Sequence, residues 1–501
     1  MVDPKALGSI VNTGVPGLDD ILGGGLHREH IYLIEGTPGS GKTTLAMQFL
    51  LDGAQRGERC VYITLSETER ELRASAKSHG WSLEGVTLLE ITPLEADPER
   101  QQGMIHPSEI ELDHTVELIL SRILELKPDR VVIDALTELR LLAQDALSYR
   151  RQVLTLKAFF ARSQITVLAL DDLTDTAQGL QLHSIVHGVV SLEQRRMEYG
   201  VVRRRLAVLK LRGVNFRSGY HDYVIRTGGV TVFPSLVAAE HESSFDTVPV
   251  SSEISEMDEL LGAGLRRGTC ALVLGPSGVG KSTLAIQYAI AGTRRGERAA
   301  IFAFDESYRT AARRSAALGM DIDAARRGGS LSWRQISPTS VSPGEFVEAV
   351  RRQVDSGARI IVIDSLNSYM GSMPEEQALL LHMHELLAYL GNRGVVTILI
   401  MAQHGLLGDA HAPIDLSFLA DTIILLRYFE ADGAVRKAVS VLKNRSGQHE
   451  STIRSYELVT NEGLKVGPPI REFRGVLRGA PIYVGPSAII PPETHAGDAS
   501  D

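Results

Sequence analysis

Short apolar runs alternate with longer amphipathic ones along most of the chain. In the N-terminal half, IYLIEG, CVYITL, RVVIDA and ITVLAL are brief and almost wholly apolar. Runs of that kind are expected of strands buried on both faces. Between them lie LAMQFLLDGAQ, ERELRASAKSH and TVELILSRILEL. The last carries apolar residues at 116, 119, 120, 123, 124 and 126, close to helical spacing. Strands alternating with helices predict a parallel sheet with right-handed crossovers. The runs VVSLE, RRRLAVLKLR and YVIRTGGVTVF then follow without helices between them. They predict an antiparallel extension of the same sheet.

The pattern occurs twice. CALVLG, AAIFAF, IIVIDS and VVTILIMA repeat the strand series in the C-terminal half. GTPGSGKT at 36–43 faces GPSGVGKS at 275–282, 239 residues on, and RGERCVYITLSE at 56–67 faces RGERAAIFAFDE at 295–306 at the same interval. The aspartates of RVVIDALTEL and RIIVIDSLNSY lie 230 apart, and KLRG at 210–213 faces KNRS at 443–446. Order is kept and only small insertions shift the interval, so the chain is a tandem duplication. The predicted organisation is a first α/β domain at 1–240, a polar connector at 241–251, a second domain at 252–475 and a tail at 476–501. Its last stretch, 485–501, is rich in Pro, Gly and small residues and is read as mobile.

Composition narrows the possibilities. The chain has 501 residues, 44% hydrophobic and 23% charged, values of an ordinary globular protein. A formal charge of −9, from 61 acidic and 52 basic residues, argues against coating nucleic acid. Cys60 and Cys270 each sit in an apolar run, which predicts neither a disulfide nor a zinc site. The start lacks the apolar core of a signal peptide, and no apolar run approaches the roughly 20 residues that span a bilayer. A cytoplasmic, membrane-free protein is expected.

The strongest chemical signal is GxxxxGK[ST], present twice, each time after an apolar strand and before a helix. Glycines let successive N–H groups curl around a triphosphate, and the helix N-terminus adds partial positive charge. Lys42 and Lys281 are expected on the β/γ-phosphates, with Thr43 and Ser282 on Mg²⁺. Asp134 and Asp364 end strands and are placed to hold the metal's water shell, although a strand-end aspartate can also cap the next helix. After the second strand of each repeat come Ser66-Glu67 and Asp305-Glu306. An acid there can polarise the attacking water or hydroxyl, or simply favour a helix start. Lys210-x-Arg212 and Lys443-x-Arg445 put two cations on one strand face, to reach a phosphate across a subunit boundary or to form a solvated edge. Gln403, after the fourth strand, is either a γ-phosphate sensor or a loop amide.

Together, the two phosphate loops, the LxxGGL-type lead, the acids after strand two and the K-x-R strand end resemble the KaiC family, RecA-like ATPases with two fused domains. The likeness spans roughly residues 8–480. It implies two tandem RecA-like P-loop NTPase domains, each a mainly parallel sheet flanked by helices with an antiparallel extension, in a homohexamer with ATP between subunits. It carries ATP contacts to Thr37, Pro38, Gly39, Ser40, Gly41, Lys42, Thr43 and Thr44, with Ser78, Lys210, Leu211 and Arg212. In the second repeat they fall on Ser277, Gly278, Val279, Gly280, Lys281, Ser282 and Thr283, with Lys443, Asn444, Arg445 and His449. Metal contacts fall on Thr43, Asp134, Ser282, Asp305 and Asp364, and catalytic acids on Glu67, Asp305 and Glu306.

The family's phosphorylated serine matches Ser417, but its threonine neighbour matches Phe418, and the threonine before DTIILL matches Ala420. A two-site phosphorylation cycle cannot run with Phe418, and a circadian oscillator is not expected. The first acid of the first repeat is replaced by Ser66, leaving Glu67, and the histidine that assists the K-x-R pair matches His449 but becomes Phe216 in the first repeat. The expected activity is ATP hydrolysis with autophosphorylation on Ser417, read by a signalling partner such as a two-component protein. The alternatives are a DNA recombinase or helicase, for which Arg203-Arg204-Arg205 is the one basic run, and a non-catalytic scaffold assembled by ATP.

Overall fold

The computed structural model describes residues 10–91, 107–143, 145–173, 182–196, 200–337, 339–371, 376–403, 418–431, 433–478 and 482–485. The chain divides into two compact units, residues 1–235 with 342–346, and residues 236–341 with 347–501.

In the first unit, strands β1 (Ile10–Val11) and β2 (Leu26–His27) pair as a short antiparallel ribbon. The main sheet is built from β3 (Ile31–Gly36), β4 (Cys60–Thr64), β5 (Val86–Glu90), β6 (Arg130–Asp134), β7 (Thr166–Asp172), β8 (Gly188–Arg195), β9 (Arg203–Leu211), β10 (Tyr220–Arg226) and β11 (Gly229–Phe233). Their order is β11-β10-β9-β8-β3-β7-β6-β4-β5. Strands β3 to β8 run parallel, and β9 to β11 extend the sheet antiparallel, as the sequence pattern predicts. The run YVIRTGGVTVF is two strands, because Gly228 and Gly229 both take positive φ and turn the chain.

Every residue of β3, β4 and β6 is buried, which is why these stretches read as uniform apolar runs. Helix Lys42–Gln55 packs with Tyr32, Ile34, Tyr62 and Val132 on one face of the sheet. Helices Pro107–Leu126 and Ala146–Ser163 cover the other, through Val116, Ile119, Ile123, Val153, Leu156 and Phe160. The predicted stripe is thus largely the buried one, but Leu124 is 59% exposed.

The second unit repeats the plan. Strands β12 (Pro249–Val250) and β13 (Leu265–Arg266) form the ribbon. The sheet comprises β14 (Cys270–Gly275), β15 (Arg298–Ala303), β16 (Leu331–Gln335), β17 (Ala358–Asp364), β18 (Val396–Ala402), β19 (Thr422–Ala431), β20 (Ala434–Asn444), β21 (Arg454–Val459) and β22 (Gly463–Pro469). The order, β16-β15-β17-β18-β14-β19-β20-β21-β22, matches that of the first sheet strand for strand. Ser243, in the stretch expected to be a connector, hydrogen-bonds the Asn392 carbonyl of this unit, through its N–H at 3.1 Å and its Oγ at 2.9 Å.

Candidate active sites

Both phosphate loops leave the end of a central strand and run into a helix. Gly41 and Gly280, immediately before the helices Lys42–Gln55 and Lys281–Arg294, have φ of 97° and 116°. A side chain is strained in that left-handed region, and a Cβ on Gly41 would lie 2.5 Å from Ile225 Cδ1. From the late strands, Tyr223 O–H donates to the Ser40 carbonyl at 2.6 Å and Tyr456 O–H to the Val279 carbonyl at 2.5 Å. The antiparallel extension thereby braces the loop in both units.

In the first unit, Lys42 Nζ donates to the carbonyls of Gly36 at 2.8 Å and Thr37 at 3.3 Å, and pairs with Asp172 Oδ1 at 2.7 Å. Thr43 Oγ1 donates to Asp134 Oδ2 at 2.9 Å, and Tyr62 O–H donates to the same oxygen at 2.5 Å. Burial pushes the Asp134 carboxyl above the ordinary aspartate range, against the pull of those two hydroxyls. Glu67 follows β4, its N–H donating to Thr64 Oγ1 at 2.9 Å. Its carboxyl is also pushed up, by burial first and then by the negative charges of Asp134 and Glu71. Ser66 is exposed.

The second unit arranges its acids differently. Lys281 Nζ donates to the Pro276 carbonyl at 2.7 Å. Burial lowers the affinity of that amine for its proton, and Asp364 opposes the effect. Ser282 hydrogen-bonds Asp364, whose carboxyl burial pushes up, with Glu306 and Asp305 adding to the rise. Asp305 accepts from Ser365 Oγ at 2.7 Å and from Ser368 Oγ at 2.5 Å, and Glu306 pairs with Arg314 at 2.6 Å. Asp305, Glu306 and Asp364 therefore lie close together beyond the ends of β15 and β17, each fixed by its own partner. Gln403 N–H donates to the Gly275 carbonyl at 3.1 Å, next to the loop, and its buried side-chain oxygen has no hydrogen-bond partner among the described residues.

The K-x-R cations lie apart from their own loops. Lys210 sits in register with Val189, whereas Leu192 of that strand faces Gly36, the start of the loop. Three residues of strand are about 10 Å. Lys210 Nζ also turns away, to the carbonyls of His183 (a short contact) and Val186 at 2.9 Å, and Arg212 donates to the Ser184 carbonyl at 2.8 Å. Lys443 likewise donates to the Ala420 carbonyl at 2.7 Å and Arg445 to that of Phe418 at 3.4 Å. His449 lies beyond the turn after β20. Ser78 is at the far end of helix Glu69–Ser78, bonded to the Ser75 carbonyl at 2.7 Å and about 15 Å along that helix from Glu67. Ser417 is outside the described residues.

Asp172, Tyr62, Ser365, Ser368 and Arg314 were not legible from the motifs. Each reaches the site from a neighbouring strand or helix. The one faint signal is that the aligned strands end in Asp171-Asp172 in one repeat and Met401-Ala402 in the other. The basic run is absorbed by the sheet: Arg205 pairs with Glu193 at 2.7 Å and stacks on Tyr220.

Two doubly wound sheets, each with a braced phosphate loop and a strand-end aspartate beside the loop's hydroxyl, define a tandem RecA-like P-loop ATPase. The sequence profile of the KaiC ATPase family matches residues 11–237 and 250–471, and the chain belongs to that family. It is similar to the circadian clock protein KaiC3 of Synechocystis sp., at 27% identity over 98% of both chains. It is also similar to the circadian clock oscillator protein KaiC of Parathermosynechococcus lividus, at 28% identity over 94% of this chain and 88% of that one. The KaiC of Synechococcus elongatus is 28% identical over 95% and 92%. Among the described residues no helix is long and apolar enough to cross a membrane.

Proposed function

We propose that the protein binds Mg-ATP at both phosphate loops, hydrolyses it, and in the second unit transfers the γ-phosphoryl group to Ser417. The observation that carries this reading is the acid cluster of the second unit: Asp305 held by Ser365 and Ser368, Glu306 held by Arg314, both beside Asp364. Phosphoryl transfer needs positioned groups and neutralised charge more than covalent help. Lys281 binds the β/γ-phosphates. Asp305 or Glu306 takes the proton of the attacking hydroxyl while its oxygen bonds the γ-phosphorus and the bond to ADP breaks. With water as nucleophile the same groups give hydrolysis. The paired hydroxyl and carboxylate of Thr43 with Asp134, and of Ser282 with Asp364, are the oxygen donors that suit Mg²⁺. The ion, when bound, neutralises phosphate charge.

The position of the K-x-R cations supports a ring of copies, a homohexamer, in which Arg212 and Arg445 serve the loop of a neighbouring subunit. Arg445 and Lys443 also hold the backbone at Phe418 and Ala420, directly after Ser417, so phosphate and acceptor would meet at that boundary. The nucleotide or phosphorylation state would be read by a signalling partner in the cytoplasm. The tied Arg205 and the net charge of −9 both weigh against a nucleic-acid substrate.

The test is incubation with Mg-ATP, following released phosphate and the mass of the peptide containing Ser417, beside a Lys281→Ala chain. Phosphate on Ser417 that the variant lacks supports the autokinase. Release without any modified residue leaves an ATPase switch and removes the kinase.

A further inference from the structure

The two phosphate loops differ in the counter-ion of their lysine. Lys42 pairs with Asp172 at 2.7 Å, the lysine side chain 9% exposed and the aspartate 30%. Asp172 is the last residue of β7 and lies in register with Gly36, where the loop begins. In the second unit Ala402 lies in register with Gly275 in the same way. The strand ends are held alike in both. Asp172 N–H donates to Thr137 Oγ1 at 2.9 Å, and Ala402 N–H donates to Asn367 Oδ1 at 2.8 Å. On the first side the anchor is doubled, since Thr137 Oγ1 donates to Asp171 Oδ1 at 2.8 Å and Arg140 pairs with Asp171. The two strand ends are therefore anchored alike, and what differs there is a carboxylate aimed at the loop lysine.

We infer that Asp172 is a specificity-determining residue, which biases the first site against a nucleoside triphosphate and toward a diphosphate, a bias the second site lacks. The inference rests on the reading of both loops as nucleotide sites. A P-loop lysine bridges the β- and γ-phosphates. A γ-phosphate there meets Asp172 beside the same ammonium, and two anions at a largely dehydrated cation repel far more than they would in water. A diphosphate ends before that point and leaves the Lys42–Asp172 pair in place. At the second loop no carboxylate among the described residues pairs with the lysine, and the γ-phosphate meets the methyl group of Ala402.

The test uses the full chain carrying Lys281→Ala, so that the first loop is the site read. Calorimetric titrations with Mg²⁺ and either ADP or a non-hydrolysable ATP analogue are compared for Asp172, Asp172→Ala and Asp172→Asn. Both substitutions should tighten the triphosphate analogue at least about tenfold while moving ADP by less than about threefold. Asp172→Asn keeps the size and the strand end, so a folding effect would separate it from Asp172→Ala. Equal shifts for both nucleotides, or weaker binding of the analogue, would overturn the inference and make Asp172 a structural or phosphate-positioning residue. Failure of either nucleotide to bind, or binding that survives Lys42→Ala, would overturn the nucleotide reading of the first loop, and the inference with it.

Discussion

Asp134 is caught between chemistry and stability. Burial raises its carboxyl above the ordinary aspartate value. A raised folded-state value means that the folded protein holds the proton more tightly than the unfolded chain does. The associated stability is full below the unfolded value and is lost as pH rises through the folded one. At neutral pH the charged carboxylate therefore costs stability. Asp134→Asn should raise the thermal midpoint of the nucleotide-free, chelator-treated protein at pH 7, by about 2–4 °C, and that gain should shrink on acidification. The same variant should lose hydrolysis at the first site. Glu67 gives a second pH signature. Its carboxyl is also raised from the usual 4.5, so as a general base it becomes protonated sooner as pH falls. In a Lys281→Ala chain the acid limb of phosphate release should lie above the ordinary glutamate range, and Glu67→Gln should cut the rate about 10²–10⁴-fold and abolish that limb. A limb unchanged in Glu67→Gln would assign the base elsewhere.

At the scale of elements, the helix that follows each phosphate loop sits unusually close to the sheet. A Cβ on Gly53 would lie 2.7 Å from Arg130 Cδ and Nε and from Cys60 Sγ, and one on Gly292 would lie 2.3 Å from Ile360 Cδ1. Arg130 opens β6 fully buried. It pairs with Glu58 and with Asp52 at 3.1 Å, and donates to the carbonyls of Asn12 at 3.0 Å and Phe49 at 2.7 Å. Arg130→Ala removes a buried side chain and the cation that Asp52 and Glu58 share, although these keep Arg56 and Arg28, and should destabilise the first unit by about 2–4 kcal/mol, seen as an earlier first transition in denaturant. Much of this scale was legible in the sequence, because the short apolar runs are the buried strands and the loop motifs occupy consecutive residues. The rest was not. Asp172 is 130 positions from Lys42, and its meaning depends on β7 lying beside β3. Ser365 and Ser368 gain theirs only when the end of β17 and the helix Leu366–Gly371 that follows it bring them to Asp305. Arg130 read as the polar start of a strand, and nothing local says that it is buried.

For the whole molecule, the decisive question is whether each site is completed by another copy. Arg445→Ala alone and Lys281→Ala alone should each lower turnover at the second site by about 10³-fold, the scale of an arginine finger. Coexpressed in one ring, the two variants should recover phosphate release well above either alone, because an intact loop can then meet an intact Arg445. No recovery in mixed rings would mean that the arginine acts within its own chain.

The buried Arg130 also bears on how the two halves came to differ. The matching place in the second unit holds Ile360, which needs no charge partners. In the first unit Arg130, Asp52 and Glu58 hold one another, and Asp52 and Glu58 also engage Arg56 and Arg28. Replacing Arg130 alone takes the shared cation from both carboxylates, and replacing Asp52 alone leaves a buried guanidinium with one carboxylate fewer, each a cost. The cluster thus couples three positions, so that a change at one alters what the other two require. An exchange of β6 alone for β17 would therefore set a buried arginine beside Ala291, the counterpart of Asp52, and should destabilise the recipient unit.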